Sequence, residues 1–68
     1  MEDWQERVIT EQKELGKKID NLVTFLMDNE KINLLNEHNR QMLNAQLEKM
    51  LEYNLVLMMI IRNFNKEL

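Results

Sequence analysis

The chain has 68 residues, 12 acidic and 9 basic, and a net charge of −3 at pH 7. That is enough for one small domain, 1–68, and too acidic for a protein that tracks a DNA or RNA backbone. With no cysteine and a single histidine, His38, a disulfide framework, thiolate chemistry and a His/Cys metal site are excluded.

Proline is absent and glycine occurs once, at Gly16. Glu, Lys, Leu, Gln and Met dominate, so the chain is expected to be helical almost throughout. It starts MEDWQE, with neither a basic segment nor an apolar core, so no secretory signal is expected there. Asp3 followed by Glu6 resembles a capping box and predicts a first helix from there to about Met27. Its apolar seam is Val8, Leu15, Ile19, Leu22 and Leu26, with Gln12 in the one polar gap. Gly16 either allows close backbone approach or is simply tolerated in the helix.

Asp28-Asn29 is a turn signal, because both side chains compete with helical hydrogen bonds. EKINLL, 30–35, is short enough for only a turn or a short connecting helix, and Asn36 is placed to cap the last helix. That helix is expected from about Glu37 to Asn65, with the seam Leu43, Leu47, Met50, Asn54, Leu57, Ile61, Phe64 and Leu68. Its steps alternate between four and three, a heptad pattern. Asn54, its one polar member, reads either as a register-fixing amide or as a partly exposed side chain on a frayed face. Tyr53, one step off the seam, is expected to pack with its hydroxyl bonded. Arg62 and Lys66 suit the C-terminal dipole of this helix, and Arg40 and Lys49 look like surface cations. The fold class is therefore all-α: an antiparallel hairpin of two long helices joined by a short helix or turn.

The stretch LVLMMII, 55–61, has no polar member. It is far shorter than the roughly 20 apolar residues that span a bilayer, so no membrane partner is expected. Leu57 and Ile61 belong to the seam, but Leu55, Val56, Met58, Met59 and Ile60 point elsewhere. A helix apolar all round is buried all round, and a domain this small lacks a strong core of its own. These five residues are therefore expected to form an interface between copies of the chain in a helical homo-oligomer, with the methionines filling irregular gaps.

Trp4, Arg7, Glu11, Glu14 and Lys18 succeed one another at steps of three and four and share one stripe of the first helix. Such a stripe can bind a nucleotide: the indole stacks on a base, the cations meet phosphates, and the carboxylates hold the cations or accept from a base edge. From the residues alone the first reading is the plainer one, a solvated face with helical ion pairs, such as Glu14 to Lys18. No nucleophile–base pair, glycine-rich phosphate loop or carboxylate dyad is present, so neither an enzyme nor a cofactor is expected. The alternative to ligand binding is a helical structural or adaptor module that offers its polar face to a protein partner.

Two blocks of the chain carry a resemblance. The first is Trp4, Arg7-Val8, Glu11, Glu14-Leu15, Lys18-Ile19, Leu22 and Phe25; the second is Leu43, Gln46-Leu47, Met50 and Tyr53. Together they resemble a group of very short phage proteins that includes anti-CBASS cyclic-nucleotide sponges. CBASS is a bacterial defence in which infection triggers synthesis of cyclic oligonucleotides that activate a killing effector. The resemblance implies a compact helical hexamer in the cytoplasm of the infected host. It implies sequestration of cyclic dinucleotides between subunits without cleavage, and of cyclic trinucleotides at separate sites in some members. On that basis Trp4 stands where the family usually has a stacking tyrosine, Lys18 is the phosphate-binding lysine, and Arg7 and Glu11 complete the ligand-binding stripe. The family's C-terminal arginine falls two places later here, at Arg62, which joins the ligand-binding set with that displacement.

Overall fold

The structure, a computed structural model, describes residues 2–64. The first helix, α1, runs Asp3–Leu26, a short helix α2 runs Asn29–Asn33, and α3 runs Glu37–Arg62. The expected hairpin is what forms: α1 and α3 lie antiparallel in a rod of 50 × 15 × 14 Å.

Each boundary has a local chemical cause. The start of α1 differs by one residue from the expected cap. Glu2, not Asp3, is the cap residue, and its N–H donates to Gln5 Oε1 at 3.0 Å. Asp3 and Glu6 instead place negative charge in the first turn, where the helix dipole favours it. Asp28 caps α2, its Oδ1 accepting from the N–H groups of Glu30 and Lys31 at 3.1 and 3.3 Å. Asn36 caps α3 by accepting from the Asn39 N–H at 2.8 Å. That helix ends at Arg62, earlier than expected: Asn63 turns its side chain back on the Met59 carbonyl at 2.8 Å, and its own N–H bonds to the Ile60 carbonyl. An asparagine amide competes with the helical ladder in this way. The expectations for Asn65, Lys66 and Leu68 lie outside the described residues.

The seams mesh as the spacing predicts. Every member within the described residues is buried or half-buried, and Ile19, Leu57 and Phe64 are the most enclosed apolar residues. Gln5 extends the α1 seam by one step of three and is itself buried; its polarity hid it from a purely apolar reading. The two amides that interrupt the seams face each other, and Gln12 Nε2 donates to Asn54 Oδ1 at 3.2 Å. Asn54 is thus a register residue and not a frayed one. At the open end of the hairpin, Trp4 packs edge-to-face on Phe64, ring centroids 5.3 Å apart at 84°. Gly16 needs no close approach within the hairpin, since an added Cβ would meet only Gln12 Nε2, at 3.9 Å.

Arg40 differs from its expected surface role. It is half-buried, and its Nε is enclosed with no hydrogen-bond partner among the described residues. Lys49 behaves as expected, pairing with Glu52 at 3.7 Å on the surface.

The amide pair sets a testable balance. Asn54→Ala leaves the Gln12 amide without its partner and should lower unfolding stability by about 1 kcal/mol in urea titrations. The double change Gln12→Leu, Asn54→Leu removes both polar groups and should match or exceed the wild type in stability.

Candidate nucleotide-binding stripe

The predicted stripe lies on the flank of α1 beside the seam, because its positions fall one or two residues away from the seam at every turn. Three of its members, Arg7, Glu11 and Glu14, line an open groove of about 390 Å³ together with Asp3, Glu6 and Thr10. Trp4 and Lys18 lie outside that lining, seven residues to either side of Glu11, about 10 Å along the helix axis. Asp3, Glu6 and Thr10 are not among the site residues that the spacing predicts. A signal exists for two of them: Asp3, Arg7, Thr10 and Glu14 also succeed one another at steps of four, three and four. Arg62 sits exposed at the C-terminal end of α3 and does not line the groove. The antiparallel packing brings that end of α3 to the Trp4 end of α1, as the Trp4–Phe64 contact shows.

The stripe residues differ in what engages them. The Tyr53 hydroxyl donates to Glu11 Oε1 across the two helices. Tyr53 is exposed and has its hydroxyl bonded, so it forms a tie over the seam and not a core residue. Trp4 is 43% exposed while its ring leans on Phe64. Among the described residues the ion pairs are Lys31–Asp28 and Lys49–Glu52. The Glu14–Lys18 pair of the solvated-face reading is not formed, and Arg7 and Lys18 are exposed without a carboxylate partner among the described residues. The groove itself is acidic, with four carboxylates (Asp3, Glu6, Glu11 and Glu14) against the one guanidinium of Arg7. A bare phosphate would be repelled there. Lys18, beyond the groove, is in no ion pair among the described residues.

The other outward surface is α3. Leu55, Val56, Met58 and Met59 are each 45% or more exposed, and Leu51 joins them one turn before. Ile60 is half-buried. Val56, Met59, Ile60 and Asn63 line a shallow, mainly apolar depression of about 420 Å³. The described residues hold no group of His, Cys, Asp and Glu side chains able to ligate a metal. No helix among them is long and apolar enough to cross a membrane.

One comparison decides the family. The family model described as Sequestin matches residues 2–59, which contain the whole α1 stripe and most of α3. This chain belongs to the sequestin family. Sequestins are the phage anti-CBASS cyclic-nucleotide sponges, a binding family and not a catalytic one. The resemblance seen in the stripe and in the second block is therefore a family relationship. Ile60 and Arg62 lie beyond the residues that the sequestin model matches. No curated protein and no solved structure matches the chain.

The Tyr53–Glu11 tie has a pH signature. The hydrogen bond to Glu11, some loss of solvation and the carboxylate's negative charge all raise the Tyr53 pKa above its ordinary value of 10.0. A group raised in the folded state stabilises below its unfolded pKa and loses that contribution as pH climbs through the folded one. Tyr53 thus keeps its donating proton throughout the neutral range, and the tie loses it in alkali. Spectrophotometric titration should show the tyrosinate band emerging later than in free tyrosine, and Glu11→Gln should bring it back toward the ordinary value.

Proposed function

We propose that this sequestin binds and holds intact cyclic dinucleotides as a homo-oligomer, removing the CBASS signal by mass action without cleaving it. The observation that carries the reading is the family match over residues 2–59, which spans the stripe. Trp4 offers a partly exposed ring for base stacking. Arg7 and Lys18 are on the same face and in no ion pair among the described residues, suited to the ligand's polar edges and phosphates. Glu11, held by Tyr53, acts chiefly in positioning that face. Arg62, at the Trp4 end of the rod, would add a cation from α3. The host cytoplasm, where such a signal is made, is the place of action this reading requires.

The ligand is twofold symmetric, and a symmetric subunit boundary supplies the same stripe from both sides. The surface that drives assembly is the outer face of α3: Leu55, Val56, Met58, Met59 and the half-buried Ile60. A hexamer is the assembly that the family resemblance implies. Cyclic trinucleotides, bound by some members, belong in the same ligand panel.

Native mass spectrometry with cyclic di- and trinucleotides tests the reading. The expected species is a hexamer carrying about one intact dinucleotide per two chains, with Lys18→Ala weakening binding about tenfold or more and leaving helicity unchanged. A bare oligomer that ignores every ligand would move the function to a protein partner, as the adaptor reading has it. Recovery of hydrolysed ligand would overturn sequestration.

Assembly has its own test. Leu55→Asp with Met59→Asp places two charges on the outer face of α3 and none in the seam. Sedimentation should show a shift to single hairpins, with the helical circular-dichroism signal retained. An unchanged oligomer would exclude this face.

A further inference from the structure

Gly16 stands near the middle of α1 and has no use inside the hairpin. Its φ is negative, and a Cβ added there would meet only the Gln12 side chain, at 3.9 Å. A glycine in a helix interior is less favourable than alanine, so this one weakens α1 without serving its packing on α3. What a missing side chain offers is room for another backbone to come close.

The residues around Gly16 are arranged symmetrically about it. Ile9 and Val23 lie seven places to either side, both β-branched and half-buried. Lys13 lies three places before and Asp20 four places after. Both are exposed, and neither is in an ion pair among the described residues. They are too far apart to pair along their own helix, with about 10 Å of rise between them. At about 100° per residue, all five positions fall on one flank of α1, roughly opposite the stripe that runs from Trp4 to Lys18.

A second α1 laid antiparallel on this flank, with a twofold axis at Gly16, finds a matching surface. Gly16 meets the partner's Gly16, and Ile9 meets the partner's Val23. Lys13 comes level with the partner's Asp20 to within about 1.5 Å, one residue of rise. The twofold axis repeats both contacts, giving two apolar pairs and two ion pairs that a single chain cannot make. The flank thus complements its own reverse in shape and in charge, which is the requirement of an isologous interface.

The same side of the hairpin continues onto α3. The Gln12–Asn54 and Tyr53–Glu11 bonds fix the height of α3 against α1 and bring Leu51 to within about one turn of the level of Gly16. Tyr53 is on the stripe side, as its bond to Glu11 shows. Leu51, Leu55 and Met58 fall on the opposite side of α3, and they are 48, 59 and 45% exposed. A second hairpin seated at Gly16 would bring its own three residues against these, in a four-helix arrangement.

We propose that two copies of this chain pair through the Gly16 flank, α1 antiparallel on α1, with Leu51, Leu55 and Met58 of both copies closing beside it. The contact uses the side of α1 turned away from the stripe, so it leaves the stripe open and does not depend on what the stripe binds. Leu55 also belongs to the outer face of α3, so Leu55→Asp disrupts both contacts.

Disulfide cross-linking tests the register, because the chain has no cysteine of its own. In the paired flank, position 13 of one copy lies beside position 20 of the other. Two copies of position 13 are about 9 Å apart along the axis, and two of position 20 about 12 Å, beyond the reach of a disulfide. Oxidation of the double variant Lys13→Cys, Asp20→Cys should yield a covalent dimer, and neither single variant should. Sedimentation at low salt supplies two further readings. Asp20→Lys should weaken association about tenfold, and adding Lys13→Asp should restore it. Gly16→Leu meets no obstacle at Cβ within the hairpin and favours helix. It should keep the helical circular-dichroism signal and weaken association about tenfold or more. A merely tolerated glycine would leave assembly unchanged in that variant, and this result would overturn the pairing. So would a double-cysteine variant that gives no more dimer than the single ones, or a charge reversal that the second reversal fails to repair.

Discussion

Two helices can shield only the stripe that each turns toward the other, and that limit governs this molecule. A third or fourth helix would enclose side chains on several sides. Here the seams of α1 and α3 meet along one line, and among the described residues no side chain is fully shut away from water. Ile19, Leu57 and Phe64 come closest. The rest of the apolar material on α3, from Leu51 to Met59, is left outside the seam. Burying an exposed aliphatic side chain is worth about 1.5–3 kcal/mol, so a chain this thin has a strong incentive to pair its outer face with another copy. Assembly in this reading is part of how the protein becomes stable, and the ligand site uses a boundary that stability already demands.

A seam of interchangeable leucines would permit sliding by one heptad at small cost. Three cross-helix contacts oppose that. The Gln12–Asn54 amide pair sits inside the seam, where a slip would strand both groups among apolar neighbours. Trp4 on Phe64 closes the open end, and Tyr53 on Glu11 clips the flank. The amide pair contributes little net stability, because each hydrogen bond replaces one made to water. Its effect is on which register wins. Holding that register also holds the α1 stripe at a defined height relative to α3, so the residues proposed for binding are positioned by contacts made elsewhere.

The charges of the stripe are unevenly spread. An anionic ligand must meet cations, but cations alone do not distinguish one base from another. The groove concentrates carboxylates around Arg7, while Lys18 stands apart from them. Trp4 has a structural role in its contact with Phe64, and the proposed function would give its exposed face a second one, in stacking. Replacing it therefore tests both roles at once, which makes Lys18 the cleaner probe of the ligand.

Much of this was legible in the order of residues. The absence of proline, the single glycine and the three-four spacing determine two long helices, and Asp28 and Asn36 mark their junction through local side-chain bonds. The seam from Leu43 to Phe64 and the shared face of Trp4, Arg7, Glu11, Glu14 and Lys18 come from helical geometry alone. The family was also legible, because the spacing of Arg7-Val8, Glu11, Glu14-Leu15 and Lys18-Ile19 is a local pattern. The sequence could not show that Gln12 and Asn54 are partners, that Gln5 is buried, or that Tyr53 engages Glu11, because these contacts depend on how far one helix slides along the other. Nor could it show which stripe residues share a groove, or that Glu14 and Lys18 stay apart. Periodicity determines which residues share a face. Only the packing of α1 against α3 decides which of them meet, which are already engaged, and which remain free to bind.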